Sequence, residues 1–152
     1  MTLQERIEND IKDAMKARDK DRLNALRAIK SAILLELTKE GGASFSEEAG
    51  LRMLQKLHKQ RSEAAAIFHQ QGRADLANEE EAQAKVIGAY LPARMDEGQL
   101  QESVLALIGE LGAAGMGDMG RVIKTANERL AGRADGGAIA SMVKRLLAAR
   151  GQ

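Results

Sequence analysis

A single proline, Pro92, interrupts a chain of 152 residues. Proline lacks a backbone donor and pushes the residue before it out of the helical region, so it marks where a helix must stop. Elsewhere Ala, Leu, Glu, Lys, Arg and Gln dominate, the residue types that lose least on entering a helix, and no segment reads as a strand. The expected fold class is all-α. Aromatic residues make up 2% of the chain, and Phe45, Phe68 and Tyr90 are too few to form a sheet on which nucleic-acid bases stack.

Apolar periodicity places the helices. Leu3, Ile7, Ile11 and Met15 recur at intervals of four and predict a first amphipathic helix ending near Arg18. Beyond a charged turn at Asp19–Arg22, the positions Leu23, Leu26, Ile29, Ile33 and Leu37 predict a second helix closed by Gly41-Gly42, and the short connection favours an antiparallel pair. Ser44 with Glu47 has capping-box spacing for a long third helix that carries Leu51, Leu54, Leu57, Ala64 and Phe68 toward Gly72. Asp75 is expected to cap a fourth, whose Leu76, Val86, Ile87, Tyr90 and Leu91 lead up to Pro92. These four helices constitute an N-terminal helical domain, residues 1–92.

Residues 93–152 hold ten of the 15 glycines, a composition shift that places a domain boundary near Ala93. Asp96 and Gln99 form a capping box ahead of Leu100, Val104, Leu107, Ile108 and Leu111, and a glycine-rich loop runs from Gly112 to Gly117. Asp118 is expected to cap a helix with Met119, Val122, Ile123, Ala126 and Leu130 inward, stopped by Gly132. A last helix follows Asp135 and buries Ile139, Met142, Val143, Leu146 and Leu147. The second domain, 93–152, is therefore expected to hold three short helices.

Charge is nearly balanced, with 23 basic against 22 acidic side chains, which argues against a wholly basic nucleic-acid coat. The balance is not uniform along the chain. Residues 1–92 hold 15 of each sign, residues 93–118 one basic against five acidic, and residues 119–152 seven basic against two acidic. The absence of cysteine excludes disulfides, thiolate zinc sites, iron–sulfur clusters and thiol nucleophiles. The longest apolar runs, Ala64–Phe68 and Val104–Ile108, are far shorter than the roughly 18 residues of a membrane span. Polar Gln4, Glu5 and Arg6 follow the start directly, so no secretory signal is expected and the cytoplasm is the expected location.

Several constellations carry possible chemistry. Gly115-Met116-Gly117-Asp118-Met119-Gly120 matches a dinucleotide-binding pattern, with Asp135 twenty residues past Gly115, but that motif needs a strand leading into the turn and the preceding stretch has helical period. His58 and His69, eleven residues apart on one helix, stand about 16 Å apart and cannot share a metal. Lys56, Lys59 and Arg61 on the third helix and Glu79-Glu80-Glu81 on the fourth read as solvated faces making helical or interhelical pairs, with Arg61 and Glu63 as an alternative polar link between helices. No catalytic residue, metal site or cofactor site is expected.

The most informative unit is Gly132-Arg133-Ala134-Asp135-Gly136-Gly137. Gly132 suits a left-handed helix end, Asp135 suits the cap of the next helix, and Gly136 with Gly137 leave its first N–H groups unshielded. A phosphate can approach such an entrance, and Arg121, Lys124, Arg133, Lys144 and Arg145 are candidates to hold it, with Gly132 and Asp135 orienting the loop. The same glycines and aspartate would equally serve a plain helix–turn–helix corner.

Leu26-Arg27, Lys59-Gln60-Arg61, Gly72-Arg73-Ala74-Asp75-Leu76-Ala77, Tyr90-Leu91-Pro92, Met119-Gly120-Arg121-Val122 and Gly132-Arg133-Ala134-Asp135-Gly136, in this order and over essentially the whole chain, resemble the YqeY-like family. The resemblance implies a small bacterial cytosolic protein with a four-helix region and a three-helix domain similar to the tail of the B subunit of the tRNA-dependent amidotransferase. In that enzyme the tail contacts the tRNA body and catalysis belongs elsewhere. Two positions depart from the family pattern: Arg121 stands where lysine is common, and Gln83 where a glutamate is expected.

The expected function is thus a non-catalytic tRNA-binding or amidotransferase-associated accessory, with tRNA and the amidotransferase or aminoacyl-tRNA synthetase machinery as implied partners. A helical protein–protein adaptor without RNA binding is the alternative. A glutamine-dependent carbon–nitrogen ligase component, the activity associated with the family, is a third reading that finds no nucleophile, metal site or nucleotide site here.

Overall fold

The computed structural model describes residues 1–39 and 46–151. The helix-closing Gly41-Gly42, the capping Ser44 and the aromatic Phe45 therefore lie outside the described residues. Among those described, the fold is all-α, with seven α-helices and one 3-10 turn. The chain divides into two compact units, Met1–Leu91 and Pro92–Gln152.

The first unit contains α1 (Leu3–Ala17), α2 (Lys20–Lys39), α3 (Glu47–Gln70) and α4 (Ala74–Gly88). Helix α1 opens with a capping box: the Thr2 hydroxyl accepts from the Glu5 amide at 3.1 Å, and the Glu5 carboxylate accepts from the Thr2 amide at 3.4 Å. It closes at Arg18, whose φ of 56° places a non-glycine residue in the left-handed region. The Asp19 carboxylate accepts from the Arg22 amide at 3.2 Å, so the expected charged turn is shorter than Asp19–Arg22 and residues 20–22 already belong to α2.

Ile7, Ala14, Ala25, Leu26, Ile29, Ile33, Met53, Leu54 and Ile87 make up the core of this unit. Each fully buried leucine or isoleucine among them contributes about 1.5–3 kcal/mol relative to exposure. Met15, expected inward, is 55% exposed, and Ala14 takes its place with no exposed surface. Strict four-residue spacing advances about 40° per step around a helix of 3.6 residues per turn, so the fourth member of the Leu3 stripe rotates out of the interface.

Helices α3 and α4 form the most extensive helix pair. Ala65, Ala77 and Ala84 are buried there, small side chains that let two helices run side by side. Ser46 caps α3, accepting from the Ala49 amide at 3.1 Å. At the start of α4 the cap position belongs to Arg73 and not to Asp75, because Gly72, with φ of 72°, closes α3 and lets the helix begin at Ala74. The Asp75 carboxylate instead grips the Arg73 guanidinium at 3.1 and 3.2 Å. Arg61 pairs across the hairpin with Glu80 at 3.3 Å, not with Glu63, and His69 lies 2.7 Å from Glu81.

The second unit contains α5 (Glu97–Leu111), a 3-10 turn (Met116–Asp118), α6 (Met119–Arg129) and α7 (Gly136–Arg150). The expected Asp96–Gln99 capping box starts α5, at 2.7 and 3.0 Å. Leu100, Val104, Leu107 and Ile108 from α5 pack with Val122, Ala126, Ile139, Met142, Val143 and Leu147 in its core. Asp118 sits at the N-cap position of α6 but its side chain makes no capping bond. One oxygen accepts from the Ala114 amide at 2.9 Å and the other from Arg121 at 3.2 Å, so the carboxylate closes the glycine-rich loop back on itself.

Candidate functional site

The corner between α6 and α7 is built from its backbone outward. Helix α6 gives out at Leu130, and Gly132, buried and with φ of 78°, reverses the chain in a conformation that disfavours a Cβ. The Arg133 amide donates to the Leu130 carbonyl at 3.0 Å, and the Arg133 carbonyl accepts from the Met95 amide at 2.9 Å. Arg133 is thus fixed on both sides of its backbone, while its side chain is exposed and has no ion-pair partner among the described residues.

Asp135 occupies the N-cap position of α7 in extended backbone, with its carbonyl accepting from the Ile139 amide at 2.9 Å. The capping side-chain bond expected of it is absent. Its carboxylate lies 3.1 Å from the Arg94 guanidinium, so the charge that would have faced the α7 entrance is drawn toward the segment preceding α5. Gly136 and Gly137 are exposed at the first turn of α7. A Cβ on Gly137 would meet nothing within 4 Å, and one on Gly136 only the Asn127 side-chain oxygen at 3.9 Å. Neither glycine is crowded on its Cβ side.

The remaining basic residues proposed from the sequence do not converge on that entrance. Arg121 and Lys124 lie in the first half of α6, whose eleven residues span about 16 Å, while Arg133 follows its far end. Arg121 is engaged with Asp118. Lys144 and Arg145 lie eight and nine residues past Gly136, about 12 Å along α7. Arg145 reaches Glu97 at 3.6 Å and lines a cleft of about 360 Å³ with Arg94, Asp135 and Ser141. Lys124, Arg133 and Lys144 are exposed and have no ion-pair partner among the described residues. The arrangement is a set of cations spread along α6, the corner and α7.

Arg94 is the residue that sequence reasoning missed here. It immediately precedes Met95, which hydrogen-bonds the corner, and Pro92 lies two residues upstream, so proximity to the proline was the available signal.

The other constellations fall out simply. The glycine pattern Gly115–Gly120 spans loop, 3-10 turn and the start of α6, and it follows a helix, so the strand that a dinucleotide turn requires is missing. His58 and His69 both line one shallow depression, and no group of His, Asp and Glu among the described residues is arranged to hold a metal ion. Of the acidic triplet, Glu80 and Glu81 make interhelical pairs with Arg61 and His69. In the first unit the Tyr90 hydroxyl donates to Asp10. Burial, and then the Asp10 carboxylate, push this phenol well above its ordinary value.

Among the described residues no helix is long and apolar enough to cross a membrane. Comparison with known proteins gives concordant matches. The chain is similar to the Altered inheritance of mitochondria protein 41, mitochondrial, of Clavispora lusitaniae, at 32% identity over 142 residues that cover 91% of this chain and 81% of that one. It is 33% identical over 85 residues to the protein of the same name from Meyerozyma guilliermondii, and 32% identical over 85 residues to that from Pyrenophora tritici-repentis. These two matches take in 56% of this chain and 44% and 46% of theirs. These relatives are fungal proteins named as mitochondrial, and they lend no support to the bacterial cytosolic origin that the resemblance implies. The family model for the Yqey-like protein matches residues 4–147, nearly the full length of both helical units, and the chain belongs to that family.

Proposed function

We propose that the second unit docks the phosphate backbone of an RNA, with tRNA as the natural candidate, and that the protein serves as a non-catalytic accessory to tRNA-dependent chemistry. The observation that carries this reading is Arg133: a backbone held by hydrogen bonds at 3.0 and 2.9 Å, an exposed guanidinium with no ion pair among the described residues, and exposed Gly136 and Gly137 in the first turn of the helix that follows. Lys124 and Lys144 supply further unpaired charge on α6 and α7, and Arg121 and Arg145 exchange weak exposed pairs for phosphate at little cost.

Contacts of this kind read backbone shape and charge, with little base discrimination. The test is a titration of labelled tRNA against wild type and Arg133→Ala at two salt concentrations. Salt-sensitive binding that the substitution weakens supports the reading; equal, salt-insensitive binding by both removes it. Cytoplasm and mitochondria both hold tRNA, so the reading is the same for the cytoplasmic location expected from the sequence and the mitochondrial one in the relatives' names.

A protein–protein adaptor is the second reading. It is favoured by Leu34 and Leu35, 50% and 58% exposed side by side on α2. Capture of partners with and without ribonuclease separates the two, because an RNA-bridged association vanishes on digestion and a direct one persists.

A further inference from the structure

We propose that the first unit carries a binding site for a small phosphomonoester, in a cleft of about 410 Å³ lined by Arg6 and Asp10 of α1, Arg22 of α2, Lys85 and Val86 of α4, and Tyr90 just beyond it. It is an open cleft with room to seat a small ligand against one face.

Three basic residues line this cleft with one carboxylate, Lys85 standing between it and the neighbouring depression that holds Glu81, and the carboxylate is already engaged. Asp10 accepts the Tyr90 hydroxyl with Oδ2, while its Oδ1 lies 4.0 Å from Arg22, at the outer limit of an ion pair. Arg6 is four residues before Asp10 on the same helix, a spacing within reach of an ion pair. No such pair is present; the Arg6 guanidinium instead lies over the Tyr90 ring, 5.1 Å from its centre. Neither Arg6 nor Lys85 has an ion-pair partner among the described residues. The tyrosine therefore holds one oxygen of the acid, and beside the loosely paired Arg22 the lining carries Arg6 and Lys85.

Ligand charge and shape follow from this inventory. The lining carries two positive charges in excess, which match the charge of about −1.5 to −2 on a phosphomonoester near neutral pH better than the single charge of a phosphodiester. Arginine forks bind phosphate oxygens in pairs, and Lys85 adds a point charge. Val86, Ala89 and the ring of Tyr90 supply an apolar wall for the group that the phosphate carries. A phosphate between Arg6 and Arg22 would complete the coordination that Asp10 leaves open.

Tyr90 is the only tyrosine and the chain has no tryptophan, so tyrosine emission reports this cleft alone. The experiment titrates the full chain with glycerol 3-phosphate, inorganic phosphate and dimethyl phosphate at constant ionic strength, reading calorimetric heat and tyrosine emission together. Saturable millimolar or tighter binding of the two dianions is expected, with clearly weaker binding of the diester. Arg6→Gln and Lys85→Gln, both at exposed helical positions, should each weaken it by about tenfold with the helical circular dichroism unchanged. The proposal is overturned by no saturable heat or emission change in wild type, by equal affinity for the diester, or by unaltered affinity in both folded variants.

Discussion

The amide of Met95 donates to the carbonyl of Arg133 at 2.9 Å, and beside that bond Arg94 holds Asp135 at 3.1 Å. Two adjacent residues before α5 thus grip two residues of the α6–α7 corner, one through backbone and one through charge. The contributions differ in kind. The ion pair is about half exposed on both sides and is worth about 0.2–1 kcal/mol, whereas the corner itself depends on a left-handed Gly132 that a Cβ penalises by about 1–2 kcal/mol. Urea unfolding followed through amide resonances of the second unit should rank Gly132→Ala as more destabilising than Arg94→Ala. The reverse order would mean that the charge, not the backbone, sets the corner.

Arg18 is the one non-glycine residue with positive φ among those described, at 56°, and it ends α1. Glycine adopts this conformation freely but loses more entropy on folding, so Arg18→Gly should raise stability by a net amount of up to about 1 kcal/mol. Thermal unfolding checks this; a lowered midpoint would show that the Arg18 side chain contributes more than its backbone costs.

Tyr90 gives a pH dependence of definite sign. Its phenol is raised by burial and by Asp10, so the folded chain retains a proton that the unfolded chain releases near pH 10. The stability tied to this group is complete below about pH 10 and is lost as the pH rises above it toward the folded value. Phenolate absorbance, which in this chain arises from Tyr90 alone, should develop only above about pH 10 in the folded protein and near pH 10 in denaturant. Asp10→Asn should move the folded transition down. A folded transition at the unperturbed position would contradict the Asp10 contact.

Helix existence and apolar faces were readable because period and caps agreed. In α5 the Asp96–Gln99 box and the stripe Leu100, Val104, Leu107 and Ile108 point to the same element, and all four side chains are buried. Reading failed where another donor claimed the carboxylate that a cap would use. Asp75, Asp118 and Asp135 all read as caps, yet Arg73, Ala114 with Arg121, and Arg94 draw their carboxylates elsewhere. The Thr2–Glu5 box was present in the sequence as Thr-x-x-Glu and marks the true start of α1. The Arg6–Asp10–Tyr90 cluster was not legible, because Tyr90 is eighty residues from Asp10 and only packing brings them together. At the α6–α7 corner the glycines were readable from their conformational demands, whereas the tie to Arg94 and Met95 came from a segment with no periodic signal.

The proposed contact between Arg133 and a nucleic-acid phosphate is read out by a salt series of tRNA binding. Wild-type affinity should fall steeply as salt rises, and Arg133→Ala should bind more weakly with the slope of log K against log salt reduced by about one. Indistinguishable affinities and slopes for the two proteins would contradict that contact.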